Sequence, residues 1–130
     1  MLNKITIMGS LTSDPTLRYT NSQIPVASFT IACDRDVKEK DSNNYPVDFI
    51  NCVAWRGTGE FVNNYFSKGM MAAVDGRLQM RNWTDKEGSK RTTAEILVEH
   101  VYFCEKKRSE EASGSVDFEP VEDDGELPFL

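Results

Sequence analysis

A two-residue rhythm of apolar and polar side chains runs along most of residues 3–103, and only once does it give way to helical spacing. Residues 3–11 put Ile5 and Ile7 on one face and Lys4, Thr6 and Met8 on the other. Residues 26–35 set Ala27, Phe29, Ile31 and Cys33 against Ser28, Thr30, Ala32 and Asp34. In 48–56, Ile50, Cys52 and Ala54 oppose Phe49, Asn51, Val53 and Trp55. In 70–83, Val74, Leu78 and Met80 oppose Asp75, Arg77, Gln79, Arg81 and Trp83, with Gly76 as the expected site of a bulge. Residues 90–103 carry Ala94, Ile96 and Val98 on one face. Alternation of this kind is what a strand with one buried face requires.

The breaks are equally informative. Asp14-Pro15 ends the first run, and the polar stretch 36–46, closed by Pro46, reads as a mobile loop. Asp85-Lys86-Glu87-Gly88 reads as a hairpin turn, because glycine takes positive φ without steric cost. Between the third and fourth strands, Phe61, Val62, Tyr65 and Phe66 fall at helical spacing. The expected helix runs from Gly59 to about Ser67, with Thr58 as its cap, Glu60 in its first turn and Gly69 as its stop. Three strands, one short helix and two strands give an all-β chain with the order of an OB-fold, a five-stranded Greek-key barrel. Another small barrel or a sandwich is the competing architecture, and the single helix between strands 3 and 4 favours the OB-fold. No internal repeat of 20–50 residues is present.

Charge divides the chain in two. All 15 Lys and Arg lie in residues 1–108, against 13 Asp and Glu, a formal +2. Residues 109–130 hold 8 acidic and no basic residues, a formal −8 that dominates the whole-chain value of −6. The first part is the size of one domain, and the second reads as a disordered acidic tail. A slightly basic body with an acidic tail can hold a polyanion with one part and a basic protein surface with the other. The N-terminus lacks the pattern of a signal peptide, and no run is long enough for a membrane helix, so a cytoplasmic protein without a membrane partner is expected.

Catalysis has little to build on. Cys33, Cys52 and Cys104 are odd in number and far apart, which argues against a disulfide framework or a zinc site. Cys33 and Cys52 read as small apolar core residues, and the single histidine, His100, as a surface or packing residue. No nucleophile–base arrangement can be assembled, so no catalytic residue, cofactor or metal is expected. A metal-dependent nuclease is the least remote enzymatic alternative.

Two constellations remain. Phe49 and Trp55 stand six apart on a strand whose other face is claimed by Ile50, Cys52 and Ala54, so both rings point away from the core. Arg77, Arg81 and Trp83 share one parity on the next strand, provided no bulge shifts them. Outward aromatics among cations suit unpaired nucleic acid, whose bases stack on rings while phosphates meet the charges. The competing role for such rings is to plug a barrel end or an oligomer interface. The second constellation is the tail tip, where Asp123, Asp124 and Glu126 precede Leu127-Pro128-Phe129-Leu130. Acidic residues with an apolar anchor fit a basic pocket with an apolar floor. An OB-type protein-interaction module that works mainly through this tail is the second functional hypothesis.

Across nearly its whole length the chain resembles the bacterial single-stranded DNA-binding proteins. The resemblance is carried by Asn3-Lys4, Asp14-Pro15-Thr16-Leu17-Arg18-Tyr19, Val26-Ala27-Ser28-Phe29, Phe49 through Trp55, Lys68-Gly69, Val74 through Leu78, Arg81-Asn82-Trp83, Thr93 with Glu95, and Leu127-Pro128-Phe129. It implies an OB-fold over residues 1–108 that forms a homotetramer and binds single-stranded DNA without sequence preference. It implies stacking at Phe49, Trp55 and Trp83, and phosphate contacts at Lys4, Arg18, Arg35, Arg56, Lys68, Arg77 and Arg81. It also implies that the tip recruits replication, recombination and repair proteins, and that the protein is nucleoid-associated in the cytoplasm. The chain departs from the family where Arg35, Asp36 and Val37 replace a frequent aromatic, where Gly57-Thr58-Gly59 lacks a cation, and where Leu130 follows Phe129.

Overall fold

The computed structural model describes residues 1–104. The domain boundary at 108 and the tail 109–130, tip included, lie outside the described residues. Six strands and one helix follow in the order β1 (Ile5–Leu11), β2 (Thr16–Tyr19), β3 (Pro25–Asp34), β4 (Val47–Trp55), α1 (Arg56–Tyr65), β5 (Met71–Thr84) and β6 (Lys90–Phe103). Neighbours run β1-β5-β6-β4-β3, and a β1–β3 pairing (Ser10 with Ala32, Leu11 with Ile31) closes the ring. The link between β4 and β6 is parallel, and every other pairing is antiparallel. Five strands in a closed ring, with the helix after the third of them, form the OB-fold that the sequence pattern predicts. The sixth strand, β2, pairs among the described residues only with β3 and was not foreseen. Its four residues after Pro15 are too few to show a period.

The core sits inside the ring. Phe29 and Ile31 of β3, Cys52 and Ala54 of β4, Ala72 and Val74 of β5, and Ile96 and Val98 of β6 are buried together with Leu11. Val62 and Phe66 bring α1 and its C-terminal edge onto this cluster. Cys52 is the inert core thiol expected, and burial pushes its pKa up to about 12. Cys33 is half-buried and packs at the edge of the same cluster.

The helix departs from expectation at both ends. It begins at Arg56, directly on the end of β4, with Trp55 as an extended N-cap residue (φ −104°, ψ 151°) and no side-chain cap hydrogen bond. Thr58 therefore does not cap it, and Glu60 falls beyond its first turn, which holds no acidic residue. The strand turns into the helix at Arg56, whose φ of 59° is unusual for a residue with a side chain. At the other end Phe66 is already extended, its N–H donating to the Val62 carbonyl at 3.0 Å. Gly69, the expected stop, instead lies in the turn before β5, where its N–H donates to the Leu11 carbonyl at 2.8 Å. What fixes the helix is packing. Gly59 is buried so closely on β4 that a Cβ would overlap the Ala54 carbonyl.

Strands β5 and β6 run past the barrel as a two-stranded arm. This explains why Leu78, Met80 and Ala94, which have the parity of core residues, are exposed. Asn3 grips the base of the arm, donating to the Leu78 carbonyl and accepting from the Leu78 N–H, each at 2.9 Å. The arm ends in the expected turn. Gly88 has φ 86°, and the Asp85 carboxylate accepts from the N–H groups of Glu87 and Ser89 at 2.9 Å.

Gly59→Ala is expected to destabilise the folded protein by about 1–3 kcal/mol, the usual cost of overpacking a filled site. Urea unfolding of both proteins at equal concentration checks this.

Candidate nucleic-acid interface

Pleating decides what the outside of the barrel shows. With Cys52 and Ala54 buried, β4 turns Phe49, Asn51, Val53 and Trp55 outward. Register then builds rows across the sheet. Arg18 of β2 pairs with Val26 of β3, which pairs with Trp55. Thr16 pairs with Ser28, Ser28 with Val53, Val53 with Leu97, and Leu97 with Arg77. Further along the arm, Gln79 pairs with Glu95, Arg81 with Thr93 and Trp83 with Arg91. The β2, β3 and β4 members of these rows, with Gln79, Arg81 and Glu95 of the arm, line a groove of about 750 Å³ that reaches from Ser13 and Arg18 across Thr30, Asn51 and Trp55.

The expected shift in β5–β6 register does occur, between Asp75 and Gly76. The partners step from His100 to Val98, so the extra residue is Glu99 on β6. Parity on β5 is unbroken. Arg77, Arg81 and Trp83 therefore share the outward side, as the sequence argument required.

Phe49 is 66% exposed, and Trp55 and Trp83 are each 41% exposed. The indole N–H of Trp83 donates to the Thr93 hydroxyl at 2.7 Å, which fixes the orientation of that ring on the arm. The seven candidate cations are not equivalent. Arg18 and Arg81 line the groove, and Arg77 shares the outward parity of Arg81 on β5. Arg56 follows Trp55 at the start of α1. Lys68 lies in the turn before β5, its backbone N–H donating to the Asp14 carboxylate at 2.8 Å. Arg18, Arg56, Lys68 and Arg77 form no ion pair with any described residue.

Lys4, Arg35 and Arg81 are paired. Arg35 holds Asp48 through Nε and a terminal nitrogen at 3.1 and 2.9 Å, and the guanidinium keeps that carboxyl below the usual range. Lys4 directly precedes β1, with Nζ 2.9 Å from Asp75 and 3.4 Å from Glu99. Asp75 also meets His100 Nδ1 at 3.3 Å and the Thr6 hydroxyl at 3.1 Å. Asp75, Glu99 and His100 gather their ligand atoms within 4.8 Å, and the Lys4 ammonium already supplies a cation to both carboxylates. His100 is exposed, as expected, with its ring stacked on Tyr102.

Sequence reasoning missed the polar floor of the groove. Asn51 and Gln79 had the right parity, but polar residues on an outward face read as ordinary surface. Glu95 was missed for the same reason, yet it is only 5% exposed, and it accepts from Arg81 Nε at 3.1 Å.

Comparison with known proteins decides the family. The single-strand binding protein family matches residues 2–104. The chain belongs to that family. It is 43% identical over 115 residues to the single-stranded DNA-binding protein of Halalkalibacterium halodurans, covering 88% of this chain and 68% of that one. It is 42% identical over 121 residues to the single-stranded DNA-binding protein of Bacillus cereus, covering 92% of this chain and 71% of that one. Single-stranded DNA-binding protein A of Bacillus subtilis is 45% identical over 107 residues, with 82% and 62% coverage. The family is one of binding proteins, not of enzymes. Among the described residues no helix is long and apolar enough to cross a membrane.

The ammonium of Lys4, followed by bonds from His100 and Thr6, keeps the Asp75 carboxyl below the usual carboxylate range. A depressed folded-state pKa adds stability above the unfolded value, and this is lost as pH falls through the folded value. Lys4→Met is expected to move the Asp75 titration midpoint upward, as read by carboxyl-carbon NMR.

Proposed function

We propose that this protein binds single-stranded DNA without sequence preference, laying the strand along the groove of β2, β3, β4 and the β5–β6 arm. The observation that carries this reading is the set of open rings, Phe49, Trp55 and Trp83, on one outward surface with cations beside them. Every base offers a π-face, so stacking on Phe49, Trp55 and Trp83 tolerates any sequence. Arg18 and Arg77 meet phosphates with a full charge, because no carboxylate among the described residues is paired with them. Arg56 and Lys68 extend the path beyond the groove, and Lys4, Arg35 and Arg81 contribute less charge while their acidic partners hold them. The polar floor, with Asn51 and Gln79, gives the strand hydrogen-bonding partners without committing to one base. The names of the family and of the relatives point the same way.

The working unit in this reading is a homotetramer. In support, β1, β5 and β6 present Met8, Ala73 and Tyr102 on an outer face, with Met8 and Tyr102 more than half exposed. The protein protects single strands during replication, recombination and repair in the cytoplasm, associated with the nucleoid. The tip of the acidic tail 109–130, with Asp123, Asp124, Glu126, Leu127, Pro128 and Phe129, recruits the proteins that process that DNA.

Titration with oligo-dT at low salt is expected to quench Trp55 and Trp83 fluorescence. Trp55→Ala should lose about 1–3 kcal/mol of binding, the stacking energy of one base. Arg18→Ala should reduce the salt slope by about 0.7, the value for one phosphate contact on a single strand. Absence of quenching in the wild type, with tight binding of a protein partner, would instead support the interaction-module reading.

Deleting residues 122–130 removes a tethered polyanion. Oligo-dT affinity should be preserved or rise, and capture of repair proteins should disappear. A large loss of DNA affinity in a fluorescence titration would refute the role given to the tip.

A further inference from the structure

The Arg81–Glu95 pair is an unusual component for a polyanion site. Glu95 is on β6, two residues before Leu97, on the side that faces the groove. Its side chain keeps only 7% of its exposure, while that of Arg81 keeps 54%. A carboxylate without much water is held by its counter-charge more firmly than a surface pair would be. The contact uses only Nε of Arg81 and only Oε1 of Glu95. The terminal nitrogens of Arg81 make no hydrogen bond with a described residue, and neither does Glu95 Oε2. The fold therefore uses one nitrogen of a guanidinium that stays about half exposed, while the carboxylate it meets is buried. No described basic residue other than Arg81 is paired with Glu95.

Two consequences follow from this geometry. Holding Nε fixes the guanidinium plane while leaving its terminal edge open to a phosphate oxygen. At the same time the carboxylate beneath cancels much of the arginine's charge at the distance of a passing strand. A cation that is already neutralised has fewer counterions to release when a phosphate arrives, so it adds little to the salt-dependent part of affinity.

We infer that Glu95 tempers the groove: it positions Arg81 for hydrogen bonding to the strand while withholding its charge, which keeps bound DNA exchangeable. This rests on the DNA-binding reading above and assigns Glu95 as a positioning residue that acts through Arg81. It accounts for why a strand-binding floor contains a buried acid, where a neutral residue would have given a tighter grip.

Glu95→Gln separates the two effects, since glutamine keeps an oxygen for Arg81 Nε and loses the charge. Full-length wild type, Glu95→Gln and the double variant Glu95→Gln with Arg81→Gln are titrated with labelled oligo-dT over a series of sodium chloride concentrations, after circular dichroism confirms each fold. Glu95→Gln is expected to bind about two- to a hundred-fold more tightly at low salt, as one charge at roughly 6–8 Å in a dielectric of ~20–80 implies. Its salt slope should steepen by about 0.7. The double variant should keep the wild-type slope, because a neutral pair has been exchanged for a neutral pair. A folded Glu95→Gln with unchanged or weaker binding overturns the inference and leaves Glu95 a structural support. So does a double variant whose slope falls by about 0.7, for then Arg81 had been acting with its full charge. Both results leave the DNA-binding reading intact, whereas a wild type that fails to bind oligo-dT at low salt overturns both.

Discussion

The site depends on the pleat of β4. Cys52 and Ala54 have to reach the closed core, and Ile50 packs against its edge. A strand that satisfies this demand has no freedom left on its other face. Phe49, Asn51, Val53 and Trp55 are placed outward by the same alternation that buries their neighbours, so core and groove are two sides of one constraint. A slip of one residue would put the rings in the barrel and the small core residues in the groove. The pairing of nine successive residues of β4 with β3, from Val47 with Asp34 to Trp55 with Val26, is what prevents such a slip.

Much of this was legible in the chain. The outward position of Phe49 and Trp55 followed from parity alone, because Ile50, Cys52 and Ala54 could only be core. The ring of five long strands followed from the same alternation, and the turn at Asp85–Gly88 from its residues. What was not legible depended on contacts between distant segments. Strand β2 exists because β3 offers it an edge, not because Thr16–Tyr19 carries a pattern. The helix starts at Arg56 because the buried Gly59 sits against Ala54, a tertiary contact that outweighs the local preference of Thr58 for a cap. Leu78 and Met80 have core parity, but parity cannot tell where a barrel stops and its arm begins. The tail, its tip and the boundary at 108 remain sequence readings.

The cations teach a related lesson about counting charge. Composition gives the body a formal surplus of two basic residues and says nothing about which of them are free. Arg35 is tied to Asp48, Lys4 to Asp75 and Glu99, and Arg91 to Asp85 at 2.9 Å. Exposed pairs of this kind add little to stability. Their effect on a polyanion site is larger, since each one removes a charge from the field that a phosphate meets. The unpaired Arg18 and Arg77 then carry more of that field than their share of the sequence would imply. A surface that is only mildly basic overall can still concentrate its free charge along one line of the sheet.

Arg81 is where these two arguments meet. Its place on the groove side depends on the extra residue at the register step, Glu99, falling on β6, so that β5 keeps one parity from Asp75 to Trp83. Had the extra residue fallen on β5 instead, Arg77, Arg81 and Trp83 would have turned to the side of Leu78 and Met80, away from Trp55. Because it fell on β6, the inward series Ile96 and Val98 resumes at Val101, and His100 and Tyr102 face outward. Glu95, which precedes the step, pairs with Gln79 on the groove side. The hairpin register, unbroken from Thr84 with Lys90 to Gly76 with Val98, sets Arg81 and Glu95 on neighbouring pairs of the arm, and the step beyond it joins that arm to the barrel with both residues on the outward side.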